Sequence, residues 1–242
     1  GSNILNILLI LGVSSMVHKL NVKNNTVKKE LPITLLITTL LLILMSDHLF
    51  DATAMNSFSR EDGIVVLLFF MVFIYYLISM MRNKVEDDTD SKIYSLTKSI
   101  VYTLFGIACI VLGSNFVVNN ASAIATYLGI SERLISLTIV ALGTSLPELV
   151  TSVTATKKGE YDIAIGNVVG SNIFNIGIVL GLPVAILGGI SKITFNWIDL
   201  ITLFVATLLL FVFASNDRKI SKKEGAIMLV LFTIYYSYII FS

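Results

Sequence analysis

The chain has 242 residues, of which 55% are hydrophobic and only 14% charged, with a formal net charge of +1 and a mean hydropathy of +0.87. A soluble domain carries about a quarter charged residues, so this composition excludes a water-soluble globule and indicates an integral membrane protein. So small a net charge also excludes a nucleic-acid partner held by bulk electrostatics.

A hydrocarbon layer about 30 Å thick needs about 20 apolar residues per helix. Taken in chain order, the predicted spans are about 3–17, 31–49, 63–81, 99–118, 134–155, 162–187, 197–215 and 225–241. The chain then divides into 1–17, the end of a first repeat, and 18–81, two further helices of a first half. A charged linker at 82–98 follows, then a second half at 99–187 and the last two helices at 188–242. Fourteen of the seventeen Lys and Arg fall in the connections 18–30, 82–98, 156–161 and 216–224, whereas the alternate connections hold only Arg60, Arg133 and Lys192. The positive-inside rule places the first set in the cytoplasm and both ends of the chain outside. Cys109 reads as a small buried hydrophobe, and His18 and His48 as structural or solvated residues at span boundaries. Trp197 and the Tyr235–Tyr238 group read as interfacial aromatics.

Residues 1–12, GSNILNILLILG, recur at 170–181 as GSNIFNIGIVLG, eight of twelve positions matching at an offset of 169. The later copy is preceded by ALGTSLPELVTS at 141–152 and the earlier by nothing. The expectation is a chain that begins part-way through its first repeat. The two copies head spans of opposite direction, so the repeats are inverted, an arrangement that puts a binding site near the bilayer midplane.

Glu148 is the one carboxylate predicted deep in hydrocarbon, where an ionisable group costs a few kcal/mol unless it faces a cavity, a partner or an ion. Thr144 and Ser145, four and three residues earlier, share its face if the segment is helical. Pro147 has no N–H to offer the Gly143 carbonyl, and Gly143 eases a local break. Carbonyls freed within a membrane need protein, water or a cation. Carbonyl, hydroxyl and carboxylate oxygens together suit a hard cation, and calcium takes six to eight of them. Ser171 and Asn175, one turn apart, supply further oxygens, while Gly166, Gly170 and Gly177 suit close helix approach. Asn167 and Asn172 are better suited to bonding the broken backbone. The expected metal ligands are the Ala141 carbonyl, Thr144, Ser145, Glu148, Ser171 and Asn175, with Ser2 and Asn6 from the inverted copy. A second carboxylate is expected, by symmetry, on a helix before Gly1. No nucleophile–base pair, phosphate-binding Gly loop or Cys/His metal spacing is present, so neither an enzyme nor a resident cofactor is expected.

ALGTSLPELVTS at 141–152 and GNVVGSNIFNIGIVLG at 166–181 resemble the α-2 repeat of the calcium:cation antiporters, the sodium/calcium exchanger superfamily, and GSNILNILLILG at 1–12 is similar to the tail of their α-1 repeat. The resemblance implies an all-α polytopic membrane protein whose eight helices are the remainder of a ten-helix inverted-repeat exchanger. It implies exchange of calcium for sodium by alternating access, with Ca2+ and Na+ as cargo and the bilayer as the other partner. The setting it implies is a prokaryotic plasma (inner) membrane. Several members carry Asp where this chain has Asn175, which bears on potassium dependence and stoichiometry. Asn119-Asn120 also departs from the pattern. The span at 99–118 resembles a gating helix, with Gly106 and Gly113 allowing it to slide. The alternatives are a proton-coupled or potassium-dependent member of the superfamily, or a non-transporting assembly partner. The chain taken alone is expected not to exchange ions.

Overall fold

The computed structural model describes residues 1–47, 57–82, 95–130, 135–190 and 197–241. The linker predicted at 82–98 lies mostly outside the described residues, as do His48, Arg133 and Lys192. The helices are α1 (Ser2–Val17), α2 (Leu31–Leu44, entered through a π-helical turn at Thr26–Glu30), α3 (Arg60–Arg82), α4 (Leu96–Tyr127), α5 (Thr138–Thr144), α6 (Leu146–Lys157), α7 (Tyr161–Leu187), α8 (Trp197–Asp217) and α9 (Lys222–Phe241). Every predicted span is thus helical. Among the described residues, α3, α4, α7, α8 and α9 are each long and apolar enough to cross a membrane, and α5–α6 forms one further span bent by 53°. α1 and α2 are shorter. The chain is an all-α polytopic membrane protein.

Local signals set the helix ends. Ser59 and Asp62 cap each other's backbone N–H groups at 3.2 and 2.8 Å, and Ser221 and Glu224 repeat the arrangement at 3.4 and 2.6 Å, satisfying donors that a helix start leaves free. α7 ends at Gly188, whose φ of 87° lies in the left-handed region that favours glycine. Two short strands, β1 (Leu20–Asn21) and β2 (Lys219–Ile220), pair antiparallel and tie the connection after α1 to the one after α8.

The core lies around α1 and α7. Leu5, Ile7, Leu8, Ile10 and Leu11 of α1 and Ile165, Val168, Val169 and Ile173 of α7 are all buried. The duplication seen in the two GSN stretches extends further at the same offset, pairing Leu31, Thr38, Leu40 and Leu41 of α2 with Leu200, Thr207, Leu209 and Leu210 of α8. α3 and α9 open on SREDG at 59–63 and SKKEG at 221–225, now offset by 162. Their glycines make equivalent crossings. A Cβ at Gly63 would lie 2.9 Å from the Gly181 carbonyl oxygen on α7, and one at Gly225 would lie 3.0 Å from the Gly12 carbonyl oxygen on α1. Gly12 and Gly181 are themselves mates, so backbone meets backbone at both inter-repeat crossings, the packing small residues permit where no hydrophobic drive joins helices.

Some expectations change. Gly177 is a close-approach position, where an added Cβ would lie 2.7 Å from the Phe70 side chain, but Gly166 and Gly170 face open space, because the polar wall of α7 borders a cavity rather than a helix. Cys109 is exposed, because α4 buries only Ser114 and Ala125 among its described side chains and turns the rest toward what would be lipid. Gly106 and Gly113 on the same helix have no atom within 4 Å of an added Cβ. Tyr235 is 6% exposed and donates to Asp199 Oδ1 at 2.9 Å; a phenol beside a carboxylate is drawn inward rather than left at the interface.

Because backbone cannot yield as a side chain tip does, Gly63→Val should cost about 1–3 kcal/mol through overpacking and lower the melting temperature of the purified protein. Gly106→Ala should leave it unchanged or slightly raised. Equal melting of the two variants would contradict the crossing.

Candidate functional site

Ser145 breaks the fifth span. Its backbone sits at φ −100°, ψ 4°, and its N–H bonds the Leu142 carbonyl at 3.1 Å, one residue short of the α-helical partner at Ala141. Pro147 has no N–H for Gly143 and occupies the first turn of α6, where a missing donor is harmless. Regular bonding resumes from Leu149 N–H to Ser145 O at 3.0 Å. α5 therefore ends with its carbonyls, the cation-attracting end of a helix, directed at the break. Around the bend, Thr144 is exposed, Ser145 is 5% exposed and Glu148 is half-buried in the first turn of α6.

α7 holds the break from the side. Asn167 Nδ2 donates to the Glu148 carbonyl at 3.2 Å and to Ser152 Oγ at 3.0 Å, the backbone role expected for it. Asn172 does something else. Asn3 Nδ2 donates to the Asn172 carbonyl at 3.1 Å, and Asn172 Nδ2 returns the bond to the Asn3 carbonyl at 3.4 Å. Asn6 Nδ2 donates to Asn172 Oδ1 at 3.1 Å, and its mate Asn175 Nδ2 donates to Asn3 Oδ1 at 2.9 Å. Each bond maps onto its partner under the 169-residue offset. Four asparagines thus form one two-fold network between α1 and α7, with Ser2 Oγ accepting a further bond from Asn175 Nδ2 at 3.3 Å. Asn172, which sequence reasoning assigned to the broken backbone, and Asn3, to which it assigned no role, are the centre of this network. Their signal was present, since both recur in the repeat and amides in hydrocarbon need partners.

The network also shows which atoms remain unsatisfied. Among the described residues, the buried side-chain atoms with no hydrogen-bond partner are Asn6 Oδ1, Glu148 Oε2 and the hydroxyls of Ser14, Ser122 and Ser215. The first two can only accept, and a cation satisfies acceptors without offering protons. In both copies the helix widens to π-helical bonding, over Leu5–Leu11 in α1 and Asn175–Leu180 in α7, a form often found at functional sites.

A cavity of about 510 Å³ opens beside these groups, with Glu148, Asn167, Ser171 and Asn175 on one wall and Phe70, Phe73, Ile74 and Leu77 of α3 on the other. A second, of about 250 Å³, is bordered by Ser2, Asn3, Asn175 and Asp199, so Asn175 touches both. Of the expected ligands, Glu148, Ser171 and Asn175 line the larger cavity and Ser2 the smaller. Asn6, 1% exposed, lies beneath in the amide network. The end of α5, which carries Ala141 and Thr144, packs against Ser2–Ile4. No group of three or more His, Cys, Asp or Glu is assembled among the described residues, so Glu148 is the only carboxylate on the larger cavity.

Residues 1–79 and 98–241 match the family model described as sodium/calcium exchanger protein. The inner membrane protein YrbG of Escherichia coli is 39% identical over 78% of this chain and 59% of its own length. The putative antiporter CaxA of Alkalimonas amylolytica is 34% identical over 100% of this chain and 76% of its own length. A solved structure of the sodium-calcium exchanger NCX_Mj, soaked with 10 mM Na+ and no Ca2+, superposes with a TM-score of 0.81 at 30% identity, over 98% of this chain and 74% of that one. The chain thus spans between about three-fifths and three-quarters of the length of these proteins. With inverted GSN repeats, a proline-broken polar helix and a family match over nearly the whole sequence, this chain belongs to the sodium/calcium exchanger family.

Proposed function

We propose that the complete protein is a secondary antiporter exchanging Ca2+ for Na+ by alternating access, with the cations held between the repeats. The observation that carries this reading is the buried, unpartnered Glu148 Oε2 on a cavity whose remaining polar side chains are Ser171, Asn167 and Asn175, with the unpartnered Asn6 Oδ1 in the amide network that Asn175 shares. The ligand set is the Ala141 carbonyl, Thr144, Ser145, Glu148, Ser171 and Asn175, joined by Ser2 and Asn6. The Lys-rich connections face the cytoplasm of a prokaryotic cell.

The pseudo-two-fold relation supports a reading of what completes the site. α5–α6 lies against α1, and Tyr236 Oη of α9 donates to the Thr138 carbonyl at 3.5 Å. The mates of α1 and α9 are α7 and α3, and the groove between those two is the larger cavity. We infer that a second broken helix seats there and brings the second carboxylate that a divalent ion calls for. Its first turn would meet Gly166 and Gly170, which have space for it. Opposite charges in a dry site attract strongly, so two carboxylates would hold Ca2+ or two Na+ in turn, the requirement for exchange.

Sodium-gradient-driven radiocalcium uptake into vesicles carrying the complete gene tests the reading. Glu148→Gln should cut uptake roughly tenfold to hundredfold, the scale of a lost charged contact. Uptake undiminished in this variant would refute the site, and uptake driven only by a proton gradient would select the proton-coupled alternative.

Asn172→Leu tests the network separately. It strips partners from Asn3 and Asn6 across the repeat boundary, and interhelical bonds in membranes are worth about 0.6–2 kcal/mol each. The variant should melt lower by about 1–3 kcal/mol and lose uptake, whereas Glu148→Gln should lose uptake without melting lower. A fully stable Asn172→Leu would remove the network from its structural role.

A further inference from the structure

Away from the cation site, two apolar grooves flank the bundle at positions related by the duplication. One, of about 470 Å³, runs along α2 between Pro32 and Ile43 and is floored by Phe69 of α3 and Phe211 of α8. The other, of about 320 Å³, runs along α8 from Ile198 to Ala206 and against Leu231 and Ile234 of α9. Pro32 and Leu36 of the first correspond to Ile201 and Val205 of the second at the 169-residue offset, and Phe69 corresponds to Leu231 at 162. Both are the same crevice between successive helices, repeated.

They differ at the mouth. The first groove begins immediately after Lys28 and Lys29, both exposed. The Lys29 ammonium lies over the Tyr76 ring at 5.5 Å from its centre. Tyr76 is seven residues, two helical turns, beyond Phe69, so the ammonium stands at the head of the groove and not merely near it in sequence. In the second groove the corresponding residues are Trp197 and Ile198. Glu30 at the first mouth accepts a hydrogen bond from Tyr76 Oη at 3.2 Å. Arg82 ends α3 on the same side. Within the groove, the Thr39 hydroxyl is spent on the Leu35 carbonyl at 2.7 Å, so the walls offer hydrocarbon contact with no unmet polar demand.

We propose that the α2–α3 groove is a binding site for an anionic glycerophospholipid of the cytoplasmic leaflet. Its phosphate-bearing headgroup is held by Lys28 and Lys29, and one acyl chain lies along Leu35, Leu36, Leu40 and Ile43 on Phe69. An apolar trough capped by cations at the cytoplasmic face complements such a molecule in both halves, and basic positions on that side recruit anionic headgroups. The α8–α9 groove, opening toward the opposite face and capped by Trp197 and Ile198, takes acyl chains without regard to headgroup charge. The inference rests on the membrane orientation proposed above and not on transport.

The test is native mass spectrometry of the intact purified protein titrated with phosphatidylglycerol or phosphatidylcholine. Wild type should retain phosphatidylglycerol preferentially. Lys28→Gln with Lys29→Gln should weaken that retention roughly tenfold, at about 1 kcal/mol per lysine reduced by screening, and leave phosphatidylcholine unaffected. Lys157→Gln with Lys158→Gln, equal in charge and on the same face, should change neither. Leu36→Trp should fill the trough and weaken phosphatidylglycerol while both lysines remain, so the proposal stays testable if the double variant does not fold. Equal losses in the two lysine pairs, no headgroup preference in wild type, or undiminished binding by Leu36→Trp would each overturn it.

Discussion

Everything at the centre of this protein depends on four amides that pair across a two-fold relation. In hydrocarbon an unpaired backbone or side-chain polar group costs several kcal/mol, so an asparagine there must find both a donor and an acceptor. Asparagine is the residue for which an inverted duplicate supplies both. Each of the four amides donates to the other repeat, Asn3 and Asn172 also accept from it, and the reciprocal Asn3–Asn172 pair fixes the two helices in one register. The arrangement is self-complementary in the way a two-fold oligomer interface is, although a single chain forms it.

This pinning explains why the surrounding glycines sit where they do. With α1 and α7 tied to one another, α9 must cross α1 and α3 must cross α7 closely enough to complete the bundle. Gly12–Gly225 and Gly63–Gly181 allow backbone contact at both crossings. α4, in contrast, packs mainly on the broken span, with Val118 against Gly143. It buries little of its length.

Much of this was legible in the sequence. The hydrophobic runs placed every helix, because span length is dictated by the bilayer and not by packing. The proline and Gly143 marked the break, because the lost N–H at Pro147 is a property of the residue. The matched GSN stretches exposed the inverted repeat. Less legible was anything set by neighbours. Whether Gly166 packs closely or borders a cavity depends on the element opposite, and Cys109 is exposed because of what α4 does not touch. The demotion of Asn172 had a different origin: taken singly, each asparagine looks like local glue, and only the two copies laid on each other show that Asn6 must reach Asn172 while Asn175 reaches Asn3. The repeat of α2 with α8 was missed because its matches are mostly leucines, which recur in any apolar span, and that of α3 with α9 because charged residues and a glycine carry its alignment at a shifted offset of 162.

The same network constrains the chemistry available at position 175. Asn175 Nδ2 faces two oxygens, Asn3 Oδ1 and Ser2 Oγ. Asn3 cannot turn its amide to accommodate a carboxylate, because its own Nδ2 is committed to the Asn172 carbonyl. An ionised Asp at 175 would set acceptor against acceptor and leave Asn3 Oδ1 without a donor, whereas a protonated Asp would restore one bond. In this chain the neutral amide at 175 is what supplies Asn3 Oδ1 with its donor. Glu148 is then the only carboxylate among the described residues lining the larger cavity, and the amides of Asn6 and Asn175 are held in place by the bonds their nitrogens make.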